Sequence, residues 1–77
     1  MRVPYTILHT PQGYQLDVDT RTAVVDAINI SVDAPSKAEA IMLLTEEMLV
    51  ALKRMPASKW PESEDWIPGD DELDITP

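Results

Sequence analysis

The stretch from Ser36 to Pro56 carries both start and stop signals for one α-helix, and a lone helix obliges the rest of the chain to supply its packing surface. Ser36-Lys37-Ala38-Glu39 has the form of a capping box: a hydroxyl placed to accept from the amide three residues on, and a carboxylate at the positive end of the helix dipole. Lys53 and Arg54 fall in the last turn, where cations are favoured, and Pro56 cannot continue the hydrogen-bond ladder. The signals predict a helix over 37–54. At about 100° per residue, Ile41, Leu44, Met48, Ala51, Leu52 and Met55 share one stripe, widened by Ala38, Met42 and Leu49. Leu43 and Val50 fall outside that stripe, stacked on one side among Glu39, Glu46, Glu47 and Arg54. Burying each is worth about 1.5–3 kcal/mol. They are therefore expected to be covered, by docking of the tail or by the same face of a second copy in a homodimer.

The residues before the helix alternate with the period of half-buried strands. Val3, Tyr5 and Ile7 alternate with Pro4, Thr6 and Leu8, and Tyr14, Leu16 and Val18 alternate with Gln15, Asp17 and Asp19. Pro11-Gln12-Gly13 between them supplies turn chemistry, so residues 3–9 and 14–19 read as an antiparallel hairpin with a loop of about four residues. A third strand follows within residues 23–32, where Ile28, Ile30 and Val32 alternate with Asn29, Ser31 and Asp33. Its phase slips at Val24, Val25 and Asp26, and a bulge there spares burying the carboxylate. The fold class expected is α+β: a three-stranded antiparallel sheet covered by one long helix, forming a domain of residues 1–56.

A chain of 77 residues is one domain, burying only about 60% of the surface its unfolded form exposes. It has no cysteine, which excludes disulfide staples and thiolate metal sites. Met1-Arg2-Val3-Pro4-Tyr5 does not open a signal peptide, and no apolar run approaches the roughly 18 residues of a membrane span, so a cytoplasmic location is expected. The net charge of −8 repels nucleic acid and anionic membrane, and favours a basic protein partner.

That charge is unevenly placed. Residues 57–77 hold seven carboxylates against Lys59, so six of the eight net negative charges lie there. Pro56 precedes this tail and Pro61, Pro68 and Pro77 lie within it, yet it contains both tryptophans, Trp60 and Trp66. Disordered tails are poor in aromatics, so residues of about 60–67 are expected to fold back, with disorder after 69. In an extended chain carboxylates at i and i+2 project on the same side about 6.6 Å apart. Trp60, Glu62, Glu64, Asp65, Trp66, Asp70, Asp71, Glu72 and Asp74 are accordingly the expected partner contact.

No enzyme is expected. His9 is the sole histidine and has no partner announced by spacing, no serine sits in a G-x-S-x-G context, and two glycines leave no phosphate-cradling loop. Asp70, Asp71, Glu72 and Asp74 do not fit a calcium loop, because the required glycine and flanking helices are missing. Neither a cofactor nor a metal site is expected. In length, acidity and lack of cysteine the chain resembles the small host-takeover and anti-defence proteins of bacteriophages. That likeness of composition implies an inhibitor occupying a basic, nucleic-acid-binding surface of a host protein. The order of three strands and a helix, with Gly13-Tyr14 opening the second strand and Ser36-Lys37-Ala38-Glu39-Ala40 opening the helix, is similar to the HicB-type antitoxin domain. The Pro-Gly-Cys turn of that family is absent, and an acidic tail stands where the family continues into a DNA-binding segment. The resemblance implies an antitoxin-like or regulatory adaptor that meets a small basic partner through the sheet edge or the helix.

Overall fold

The computed structural model describes residues 1–21 and 28–76. Strands β1 (Arg2–Thr10), β2 (Gly13–Asp19) and β3 (Asn29–Ala34) precede the helix α1 (Lys37–Lys53). Two short 3-10 turns, Ala57–Lys59 and Ser63–Asp65, lead to a fourth strand, β4 (Asp71–Asp74). All neighbours are antiparallel, in the order β3-β2-β1-β4. The sheet expected to have three strands therefore has four, and the segment expected to be disordered after 69 supplies the extra one.

Alternation explains which side of the sheet meets the helix. Val3 and Tyr5 of β1, Leu16 and Val18 of β2, and Val32 and Ala34 of β3 are buried, while their immediate neighbours along each strand are more exposed. Facing them, Ala40, Leu44, Met48 and Leu52 of α1 are fully buried at four-residue spacing. The stripe is rotated slightly from the one expected: Ala40 joins it at one edge, and Met42 is 63% exposed. Ser36 accepts from the Glu39 N–H at 3.2 Å, which fixes the helix start. Among the described residues the third strand runs Asn29–Ala34; residues 23–27, with the expected bulge at Val24–Asp26, lie outside the described residues. The hairpin loop is shorter than expected, because Thr10 pairs directly with Gly13. Gly13 has φ +140, and a Cβ there would run into the Ala34 carbonyl, so a side chain is excluded on both counts.

β4 is held by both apolar and polar contacts. Leu73 packs against the core, and Ile75, just beyond the strand, is fully buried and donates its N–H to the Met1 carbonyl at 2.7 Å. Each nearby carboxylate also meets a partner. Asp70 accepts from the Ile7 N–H at 2.8 Å, Asp71 from the Tyr5 hydroxyl at 3.1 Å, and Glu72 lies 2.6 Å from Arg2. Charge alone suggested a solvated tail; the alternation of Leu73 and Ile75 with acids decides for a strand. Gly69 permits the approach, since a Cβ there would strike the Tyr5 backbone.

The returning segment also closes a gap in the sheet. β1 pairs with β2 over residues 6–10 and with β4 over residues 2–5, so its first half leaves the end of β2 unpaired. Residues 65–67 take that place: Arg21 N–H donates to the Asp65 carbonyl at 2.6 Å, Ile67 N–H donates to the Asp19 carbonyl at 3.2 Å, and Thr20 bridges Trp66.

Two substitutions test this account. Ile75→Ala should lower stability by about 2–5 kcal/mol in chemical denaturation, as for a buried aliphatic side chain, whereas Ile67→Ala, at a 42% exposed site, should cost far less. Equal small effects would mean that the C-terminal segment is not part of the folded unit. Ser36→Ala should cost about 1 kcal/mol through loss of the cap.

Candidate binding surface

Of the residues expected to form a contact along the tail, the two tryptophans pack against the protein, while Glu62, Glu64, Asp70, Asp71, Glu72 and Asp74 stay exposed and several of these carboxylates are partnered within the fold. Trp66 is 3% exposed and belongs to the core. Its indole Nε1 is buried with no acceptor among the described residues. Trp60 is half-buried and donates its Nε1–H to the Leu52 carbonyl at 3.0 Å and the Met55 carbonyl at 3.3 Å, which ties the segment after Pro56 to the end of α1, where the Leu52 carbonyl also accepts from the Met55 N–H. Asp65 accepts from the Glu62 N–H at 2.9 Å and so shapes the second 3-10 turn. Glu64 remains exposed. Asp70, Asp71 and Glu72 are bound to β1, and Asp74 lies 3.7 Å from the Met1 amino nitrogen. A continuous row of free carboxylates presented with two tryptophans is thus not what the fold builds.

Leu43 and Val50 are 40% and 45% exposed, so the tail does not cover them; Trp60 and Trp66 pack elsewhere. His9 stacks on Tyr14 with ring centroids 4.9 Å apart and a tilt of 55°. Among the described residues no three His, Cys, Asp or Glu side chains gather as metal ligands would.

What the sequence reading missed is the face of the sheet opposite the helix. Directly opposed residues of an antiparallel ladder share a face. Arg2 opposes Asp74, Pro4 opposes Glu72, Thr6 opposes Asp17 and Leu8 opposes Gln15; on the next rung-set Asp17 opposes Ser31, Asp19 opposes Asn29 and Gln15 opposes Asp33. The face not covered by α1 therefore displays Asp17, Asp19, Asp33, Glu72 and Asp74, with Arg2 as the one strand cation, itself paired with Glu72. Asp17 is oriented by neighbours: its Oδ1 accepts from the Ser31 hydroxyl at 2.7 Å and from Gln15 Nε2 at 3.0 Å. Leu8, 52% exposed, supplies an apolar spot on the same face. The signal was present in the strand period, since Asp17, Asp19 and Asp33 alternate with buried Leu16, Val18 and Val32.

Comparison of the chain with protein-family models, with curated proteins and with solved structures finds no match. The surface must therefore be read from its own chemistry.

One polar pair joins the covered side of the sheet to β4 and titrates. Burial pushes the Tyr5 hydroxyl above the usual phenol range, and its hydrogen bond to Asp71 and the charge of that carboxylate add to the effect. Asp71 is held below the usual carboxylate range, first by the Glu72 N–H it accepts from, then by the Tyr5 hydroxyl, with Lys37 contributing. A raised phenol contributes stability that is present below its unfolded value of about 10 and is lost as pH rises through the folded value. A depressed carboxyl contributes stability present above its unfolded value and lost as pH falls through the folded one. In a Tyr14→Phe background, the phenolate absorbance of Tyr5 should therefore rise only as the protein unfolds at alkaline pH. Titration at the ordinary value with the fold intact would show that Tyr5 is not buried against β4.

Proposed function

We propose that the protein is a small non-catalytic binding module whose open sheet face docks on a basic protein surface, of the kind that otherwise holds a nucleic-acid backbone. The observation that carries this reading is the uneven treatment of the two faces: α1 covers one, and the other displays five carboxylates spread across the strands, with Leu8 at one end. Neighbouring carboxylates along a strand stand about 6.6 Å apart and adjacent strands about 4.8 Å. Such a grid of negative charge is complementary to clustered lysine and arginine side chains, and its long-range field, reinforced by a net charge of −8, steers them to it. The same charge disfavours nucleic acid and anionic lipid as direct ligands. No helix among the described residues is long and apolar enough to cross a membrane. The phage-type inhibitor suggested by composition fits this reading, with the contact moved from the tail to the sheet and with β4 lending it Glu72 and Asp74.

The reading is tested by comparing two charge-matched triple variants in their binding to a partner captured from lysate and then purified. Asp17→Asn with Asp19→Asn and Asp33→Asn should slow association about tenfold or more at low salt, because the contact loses its steering charges. Glu39→Gln with Glu46→Gln and Glu47→Gln removes equal charge from the helix and should change the rate far less. Wild-type association should also slow steeply with salt, as exposed charges are screened over about 8 Å at physiological ionic strength. Equal effects of the two triples would reduce the role of the face to net charge alone.

A further inference from the structure

The two edges of the sheet are not treated alike. β4 is four residues long and three of them, Asp71, Glu72 and Asp74, are acidic, which discourages another strand from pairing there. β3 is six residues long, Asn29-Ile30-Ser31-Val32-Asp33-Ala34, with one carboxylate and neither lysine nor proline. Its outward side pairs with no strand among the described residues. Beside this unguarded edge, the end of α1 forms a groove with it, lined by Ile28, Ile30, Ala51, Arg54 and Met55. Ala51 and Arg54 thus mark the side of the helix that looks towards the β3 edge. Leu43 and Val50 project within about 100° of Ala51 on the helical wheel, so the exposed apolar pair sits on the outer shoulder of that same side.

We propose that two copies of the chain pair through β3, antiparallel and about a two-fold axis at Ser31, forming one eight-stranded sheet with both helices side by side on the same face. Register about Ser31 sets Val32 opposite Ile30 of the second copy on the helix side and Asp33 opposite Asn29 of the second copy on the open side. No like charges meet across that ladder.

The geometry of the helices agrees independently. α1 packs over β3 and β2. With strands about 4.8 Å apart, a helix above the β2–β3 gap stands about 4.8 Å from the axis, and its mate equally far on the other side. The helices are then about 10 Å apart, at the outer end of the 8–10 Å at which helices pack. α1 runs antiparallel to β3, and its residues Ala51 and Met55 lie level with Ile28 and Ile30. At about 3.3 Å per strand residue and about 1.5 Å per helix residue, Ser31 is level with the neighbourhood of Met48 and Leu49. Leu43 and Val50 therefore flank the axis, and the apolar pairs of the two copies line one seam between the helices. Glu47 meets its own copy near the axis and opposes the association. The open acidic faces of both copies become one surface.

This inference does not depend on the identity of any basic partner, and the test uses the chain alone. Sedimentation of the wild-type protein should show a monomer–dimer equilibrium. Leu43→Glu with Val50→Glu should weaken it at least tenfold, and Glu47→Gln should tighten it. The chain has no cysteine, so Ser31→Cys provides a unique reporter. It should form a covalent dimer on mild oxidation much faster than Thr6→Cys, which lies on the same face away from the edge. A wild-type protein that stays monomeric up to about millimolar concentration overturns the proposal. So does a dimer in which Ser31→Cys gains no advantage over Thr6→Cys, or one indifferent to the helix substitutions.

Discussion

The fold depends on β1 having partners along both of its edges. Its second half is fixed by a local hairpin with β2, but its first half is paired only by β4, which arrives from the far end of the chain. That return buries Ile75 and Trp66 and places Leu73 beside the core. Without it, Val3 and Tyr5 would lie on a half-paired strand, and the end of β2 would lose the backbone partners supplied by residues 65–67. In a chain so short, where the margin of stability is thin, this long-range pairing is the difference between a sheet and an isolated hairpin with a helix.

The same return changes where negative charge is available. Seven of the fourteen acids lie after Pro56, yet folding spends several of them on the first strand: Asp70 on a backbone amide, Asp71 on the Tyr5 hydroxyl, Glu72 on Arg2. These contacts are individually weak because they are exposed; they add to the burial of Leu73 and Ile75 that lays the segment along β1. Glu72 and Asp74 then join Asp17, Asp19 and Asp33 on the uncovered face. A charge distribution that is lopsided along the sequence is gathered by the fold onto a surface.

What could be read from the sequence was what is local. The helix and its Ser36 cap, the hairpin, and the outward position of Leu43 and Val50 all follow from periodicities and end signals spanning a few residues. The tail defeated the same approach because its structure depends on partners more than sixty residues away: Tyr5 for Asp71 and Ile7 for Asp70. The short alternation of Leu73 and Ile75 was outweighed by the acids around them. The tryptophans mark the segment of about 60–67 as one that folds back or makes a contact, but the place of Trp66 in the core depends on the unpaired end of β2, which no local pattern announces. The acidic face was half legible: each strand shows which residues point away from the helix, while only the register shows that they stand together.

The integration of the C-terminal segment is tested most directly by native-state hydrogen exchange at the Ile75 amide, which donates to the Met1 carbonyl. If β4 completes the sheet, this amide should exchange only through opening as costly as that of the Leu16 and Val18 amides in central β2, and its protection should fall in step with theirs as denaturant is added. Exchange at the rate of an unprotected amide, with β2 still protected, would show that the protein folds without its fourth strand and would remove the basis for the surface described.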